Sequence, residues 1–291
     1  MFSPMISDSI LYIPSYPRSG NTFARILLCN YVAAGTDSFD LDRLQDAIPA
    51  DTSEFLWQGV PDYASQKVSA RNNRRFRQRV LAEYRRREVP LPFRALKTHT
   101  ANFQAFGEPA FDIKPQDRII HLVRNPLDVV LSNADYNDHD IDASIDLMCN
   151  SGTCVSTGTL GGIEVRGSWR ENVSSWLETD TCPNLLVRYE DLCTDTEQVL
   201  REMIGFIGLP VEEERLHEAV ERSQFSRLQR QEQDNGFAEA PANTTSGRFF
   251  REGRPGQWRT GLTMEQASRL ADDCAEVMAR LGYPHPRDVT R

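Results

Sequence analysis

Four short apolar runs, Ile10 to Ile13, Phe93 to Leu96, Arg118 to Val123 and Leu185 to Val187, alternate with stretches of helical periodicity. That alternation is what a parallel sheet with crossover helices requires, because parallel strands are buried on both faces and their connections need room for a helix. Phe23, Ile26, Leu27 and Tyr31 make one helical stripe, and Trp169, Val173, Trp176 and Leu177 make another. After the fourth run, Asp195 is placed to cap a helix, and Thr263 with Gln266 opens the last helix as a capping box. The expected class is α/β: a P-loop-like three-layer fold, a central parallel sheet with helices on both faces, in one domain spanning 1–291. Two stretches, 39–68 and 133–167, show no regular periodicity and are expected to be irregular segments enclosing a substrate.

Charge narrows the partners. With 33 basic against 42 acidic residues the chain carries −9, so nucleic acid is not expected as a partner. No apolar run approaches the ~20 residues of a membrane helix, and no signal sequence is visible, so the expectation is a soluble, cytoplasmic protein without a membrane partner. Cys29, Cys149, Cys154, Cys182, Cys193 and Cys274 are then expected as reduced thiols. The run 71–87 holds eight arginines with Phe76, Val80 and Tyr84 at helical spacing, which reads as the solvated face of an amphipathic helix.

The chemistry begins where the first strand runs into Ser15-Tyr16-Pro17-Arg18-Ser19-Gly20-Asn21-Thr22 and then a helix. A strand, a tight glycine turn and a helix N-terminus aim N–H groups and the positive helix end at one spot, which favours an anion. Arg18 adds charge, and Ser19, Asn21 and Thr22 add donors. The turn is not a Walker A sequence, and the strand Arg118 to Val123 ends in Arg124 where a magnesium-binding carboxylate is usual. No metal is expected. Arg124 opens Arg124-Asn125-Pro126-Leu127-Asp128, with Ser132 about two helical turns on; Val187-Arg188-Tyr189 closes the fourth strand with an aromatic; and Phe249 to Arg259 sets arginines and glycines in a loop able to wrap an anion. His121, inside an apolar strand, reads as a satisfied core histidine.

In this order and spacing, these segments resemble the cytosolic-type sulfotransferase family, which transfers a sulfuryl group from 3′-phosphoadenosine 5′-phosphosulfate (PAPS). The resemblance implies that Arg18, Ser19, Gly20, Asn21, Thr22 and Phe23 form the 5′-phosphosulfate loop. It implies that Arg124 and Ser132 hold the 3′-phosphate, that Tyr189, Ser223 and Phe225 contact adenine, and that Arg251, Glu252 and Gly253 close over the 3′-phosphate. Leu96-Lys97-Thr98-His99 resembles the family's Lys-Thr-His, which makes His99 the expected catalytic base, with Lys97 and Arg18 stabilising charge on the leaving group. Three departures stand out: Arg18 replaces a lysine, Asn21 and Phe23 replace a threonine and a tryptophan, and Glu252 puts a negative charge where a lysine is usual. The expected partner is a small-molecule acceptor with a hydroxyl or amine, and a homodimer stays open. A non-catalytic nucleotide-binding module of the same fold and a P-loop kinase are the alternatives.

Overall fold

The first apolar run becomes β1 (Leu11–Pro14), buried at every position and flanked by a strand on each side. The computed structural model describes residues 5, 8–36, 39–60, 70–103, 109–156, 162–240 and 248–289. In chain order β1 is followed by α1 (Asn21–Val32), α2 (Leu44–Ala47), α3 (Glu54–Gln58), α4 (Ala70–Tyr84), β2 (Ala95–Thr98) and β3 (Arg118–Val123). Then come α5 (Pro126–Asn137), α6 (Ile141–Cys149), β4 (Cys154–Ser156), β5 (Ile163–Val165), α7 (Trp169–Leu177) and β6 (Asn184–Arg188). The last part is helical: α8 (Tyr189–Thr194), α9 (Thr196–Ile207), α10 (Glu213–Arg222), α11 (Phe225–Asn235), α12 (Trp258–Gly261) and α13 (Met264–Arg280).

The main sheet has the order β2-β1-β3-β6, parallel throughout, as the apolar runs require. Alternation along β1 sends Leu11 and Ile13 into one core with Leu27 of α1 and Leu200 of α9, and Tyr12 into another with Trp57, Phe76 and Trp176. Both faces are thereby covered, which gives the three layers. A third core, with Val130, Trp169 and Leu270, joins α5, α7 and α13. The capping box at Thr263 and Gln266 is formed, whereas Asp195 occupies its cap position without a side-chain capping bond.

Three expectations need correction. The stretches 39–68 and 133–167 are not irregular throughout, although 61–68 and 157–161 lie outside the described residues. The first contains α2 and α3; the second completes α5 and contains α6 and the antiparallel β4–β5 hairpin. Asp140 caps α6 by accepting from Ala143 N at 2.7 Å, and Ser144, Ile145 and Met148 form its buried stripe; one polar residue in that stripe and several aspartates around it hide the period. The arginine run is not merely a solvated face. Arg74 and Arg77 of α4 are buried, and Arg77 pairs with Asp51, donates to Ile163 O at 2.8 Å and lies against the rings of Trp57 and Phe111. A guanidinium tolerates such burial because a carboxylate, a carbonyl and ring faces replace water. His121 is a core residue but not a satisfied one: neither ring nitrogen has a hydrogen-bond partner among the described residues, and burial pushes its pKa down to about 3, so it stays neutral. The six cysteines are free thiols.

Asp117 holds the entry to the sheet. Its fully buried carboxylate accepts from Ile10 N and Lys114 N, both at 2.8 Å, and takes both ends of the Arg85 guanidinium at 2.7 and 2.6 Å. Removing one partner of a buried ion pair strands the other charge, so Asp117→Ala is expected to destabilise the protein by roughly 3–5 kcal/mol. Urea unfolding should show this as a lower midpoint with an unchanged slope.

Candidate functional site

In open parallel sheets the ligand crevice lies beyond the C-terminal strand ends. Register brings those ends level here: Pro14 pairs with Thr98, and Val123 with Arg188. Ser15, His99, Arg124 and Tyr189 each follow directly and emerge at the same edge. His99, Arg124 and Tyr189 line a cavity of about 880 Å³. Its wall includes Arg18, Gly20, Asn21, Thr22, Phe23, Lys97, His99, Arg124, Ser132, Tyr189, Ser223, Phe225, Arg251, Glu252 and Gly253. Ser19 is buried behind that wall.

The turn after β1 is shaped by two left-handed residues, Arg18 at φ 67° and Gly20 at φ 91°. Glycine is required at the second, since a Cβ there would lie 2.4 Å from the Tyr189 ring. Asn21 fastens the turn by donating to Ile13 O at 2.8 Å and Ser15 Oγ at 3.2 Å. Arg18 swings toward α5: its Nε donates to Ser132 Oγ at 2.8 Å, its Nη2 to Phe249 O at 3.2 Å, and its guanidinium lies between the Tyr136 and Phe249 rings. Burial lowers its pKa to about 10, with Arg124 adding repulsion, and it remains charged at neutral pH. Arg124 donates to Arg18 O at 3.1 Å and lies 4.3 Å over the Tyr189 ring.

Across the cavity, Ser223 accepts from Asn30 at 3.0 Å, and Phe225 fills the space that a Cβ on Gly253 would need. The loop carrying Gly253 is tied to α5 by Asp128, which accepts from Gly256 N at 2.6 Å and Trp258 N at 2.9 Å. Glu252 turns to its own neighbours, pairing with Arg254 at 2.9 Å and Arg251 at 3.7 Å, so its charge is met within the loop.

Sequence reasoning missed Arg25 and Glu239. Arg25 is fully buried on α1, and its Nη2 meets the Glu239 carboxylate at 2.7 and 2.8 Å. The same carboxylate accepts from Thr22 Oγ1 at 3.0 Å and Lys97 Nζ at 3.2 Å. Burial alone would raise its pKa, but Arg25 and Lys97 hold it far below the ordinary carboxylate range. An arginine two residues past the anion-binding turn, within an apolar helix, was the available signal for the first; Glu239 sits in a stretch without pattern.

His99 is anchored through Nδ1, 2.8 Å from Ser15 O, a bond that places the proton on Nδ1 and leaves Nε2 as an acceptor. It lines the cavity, and burial together with nearby Lys97 pushes its pKa down to about 3, against a smaller upward pull from Glu164. The imidazole is therefore neutral at neutral pH.

The residues present fit a donor with several anionic oxygens. Among the described residues Ser19 Oγ and Arg124 Nε are buried without hydrogen-bond partners, Gly20 lets the turn pack against the Tyr189 ring, and Lys97 and Thr22 already hold one carboxylate.

The sulfotransferase domain family matches residues 8–282. The chain is 25% identical to sulfotransferase 2B1 of Rattus norvegicus over 291 residues, covering 98% of this chain and 75% of that one. It is also 25% identical to sulfotransferase 1A1 of Bos taurus over 275 residues, covering 92% and 83%. The fold is shared with mouse sulfotransferase SULT7A1 complexed with PAP, at TM-score 0.58, 19% identity and coverage of 94% and 85%. It is shared also with retinol dehydratase in complex with androsterone and inactive cofactor PAP, at TM-score 0.56, 16% identity and coverage of 98% and 84%. With the family's sequence pattern running through nearly all of its length and the corresponding loops gathered at one sheet edge, the chain belongs to the sulfotransferase family, whose sulfuryl donor is PAPS.

Proposed function

We propose that this sulfotransferase moves the sulfuryl group of PAPS to a hydroxyl or amine of a small-molecule acceptor, with His99 as general base, in the cytoplasm. When bound, PAPS supplies the sulfuryl group and an adenosine 3′,5′-bisphosphate leaving group. The observation that carries the reading is the His99 geometry: Nδ1 is committed to Ser15 O, and the ring lines the cavity with Lys97. A neutral Nε2 can take the acceptor's proton as the nucleophile attacks sulfur, after which the imidazolium donates through both nitrogens.

The other residues divide the donor between them. Arg18, expected from the sequence in the 5′-phosphosulfate loop and at the leaving group, instead bonds Ser132 and is assigned with Ser132, Arg124 and Arg251 to the 3′-phosphate, while Phe23, Tyr189, Ser223 and Phe225 are assigned to the base. Gly20, Asn21, Thr22 and Lys97 are assigned to the phosphosulfate end, with the orphaned Ser19 hydroxyl behind them. Arg25 joins this last group, since it already shares one carboxylate with Thr22 and Lys97. Preorganised donors of this kind stabilise leaving-group charge without reorganising during the reaction.

His99→Ala is expected to lower kcat by roughly 10²- to 10⁴-fold while leaving the affinity for adenosine 3′,5′-bisphosphate unchanged. Turnover near the wild-type rate removes His99 as base. Because burial keeps the free-enzyme imidazole neutral down to about pH 3, kcat/KM should not fall through protonation of this residue between about pH 8 and about pH 5. A protonation step near ~6.5 in that profile would show an imidazole titrating at its ordinary value and overturn this account of its neutrality.

Glu239 must yield its cations when the donor arrives. Glu239→Gln removes that internal competitor, and isothermal titration should show adenosine 3′,5′-bisphosphate binding roughly tenfold tighter, about 1.4 kcal/mol. Equal or weaker binding means that Glu239 does not compete with the donor.

A further inference from the structure

The proposed mechanism leaves Glu164 unused, although it is a buried carboxylate on the cavity wall. β5 turns it inward: it is 6% exposed, while Ile163 and Val165 on either side are half-buried. The strand around it is rigidly held. Ile163 exchanges hydrogen bonds with the Asn73 side chain at 3.0 and 2.8 Å, Arg77 also donates to Ile163 O, and Val165 O accepts from Ala101 N at 2.9 Å. Among the described residues, donors reach only one of the Glu164 carboxylate oxygens. Arg166 places both its Nε, at 2.9 Å, and its Nη2, at 2.5 Å, on Oε1. Oε2 accepts no hydrogen bond from the described residues and is not among their enclosed polar atoms. Since Glu164 lies on the cavity wall, its remaining exposure opens on the cavity that His99 also lines.

We infer that Glu164 recognises the acceptor, and that the acceptor is a polar molecule carrying a second hydrogen-bond donor, a hydroxyl or an ammonium, beside its nucleophile. This rests on the sulfuryl-transfer reading and names its substrate class. Burial raises the Glu164 pKa, but Arg166, with a smaller contribution from Lys97, pulls it below the ordinary range, so the group is an ionised carboxylate able only to accept hydrogen bonds. An acceptor with a purely apolar body would cover Oε2 and leave a charged oxygen unpaired, a loss larger than any contact it gained. A site built to bond a substrate's polar group rejects the analogue lacking it, whereas an apolar pocket discriminates poorly between isosteres. The surrounding wall agrees: Asn150 and Thr153 carry polar groups, and aliphatic cover comes from Leu147 and Val155.

The test uses radiolabelled PAPS with three acceptors of one shape: cyclohexanol, its vicinal diol and its vicinal amino alcohol. The wild-type protein should use the diol or the amino alcohol with kcat/KM at least about 100-fold above cyclohexanol. Glu164→Gln, which retains an acceptor oxygen, should keep the diol within about threefold but lower the amino alcohol by about thirtyfold or more; Glu164→Ala should abolish both preferences. Adenosine 3′,5′-bisphosphate titration must be unchanged in both variants. Should either variant fail to fold, the wild-type ranking alone decides. Equal use of cyclohexanol, or a preference that survives Glu164→Ala, overturns the inference. Sulfation of none of the three while the nucleotide binds also overturns it and leaves the donor reading standing. Absence of both nucleotide binding and transfer brings down the sulfuryl-transfer reading itself.

Discussion

Positive charge packed into a space with little water is the constraint around which this molecule is built. Arg18, Arg25, Lys97 and Arg124 all reach one cavity or its wall, and cations drawn together in low dielectric repel one another and lose hydration. Three different devices compensate them. Arg25 and Lys97 share Glu239, Arg18 takes a hydroxyl, a carbonyl and two ring faces, and Arg124 takes a carbonyl and the Tyr189 ring. Among the described residues Arg124 Nε and Ser19 Oγ have no hydrogen-bond partner, so two buried donors remain able to receive an anion.

The same enclosure sets the state of the proposed base. In water a histidine is partly protonated near neutrality, and that fraction cannot accept a proton. Here desolvation and the Lys97 charge act in the same direction, while the Ser15 carbonyl fixes the tautomer. The charge proposed to hold the donor therefore also helps burial to keep His99 neutral, and Lys97 is the residue common to both proposed roles.

How far the sequence discloses this depends on whether a residue acts through local pattern or through the fold. Strand ends are local: apolar runs followed by Arg18, His99, Arg124 and Tyr189 were visible, because the residue after a parallel strand is where ligands are met. Arg25 and Glu239 lie 214 positions apart, and neither has meaning until the other is near. Glu164 was equally silent, since a three-residue strand facing a cavity offers too few positions for alternation to register. The arginine-rich run misled for a related reason. Charge on a helix usually faces water, but Asp51 and the Trp57 and Phe111 rings, all from other segments, make an interior place for Arg77.

The cavity has two walls of different origin. The wall beneath the proposed donor site comes from the ends of the central strands and the helix after β1, elements fixed by the sheet's register. The opposite wall comes from α6 and the β4–β5 hairpin, a unit fastened to the rest through α4, α5, α7 and α13 and through the Asn73 and Arg77 side chains. Altering a residue on the hairpin leaves the strand ends in register, whereas altering the turn after β1 disturbs both β1 and α1. If the acceptor is met on this wall as proposed, altering its contacts disturbs less of the sheet than altering those of the donor. Glu164 stands at this junction, carried by the hairpin wall of the same cavity that His99 lines.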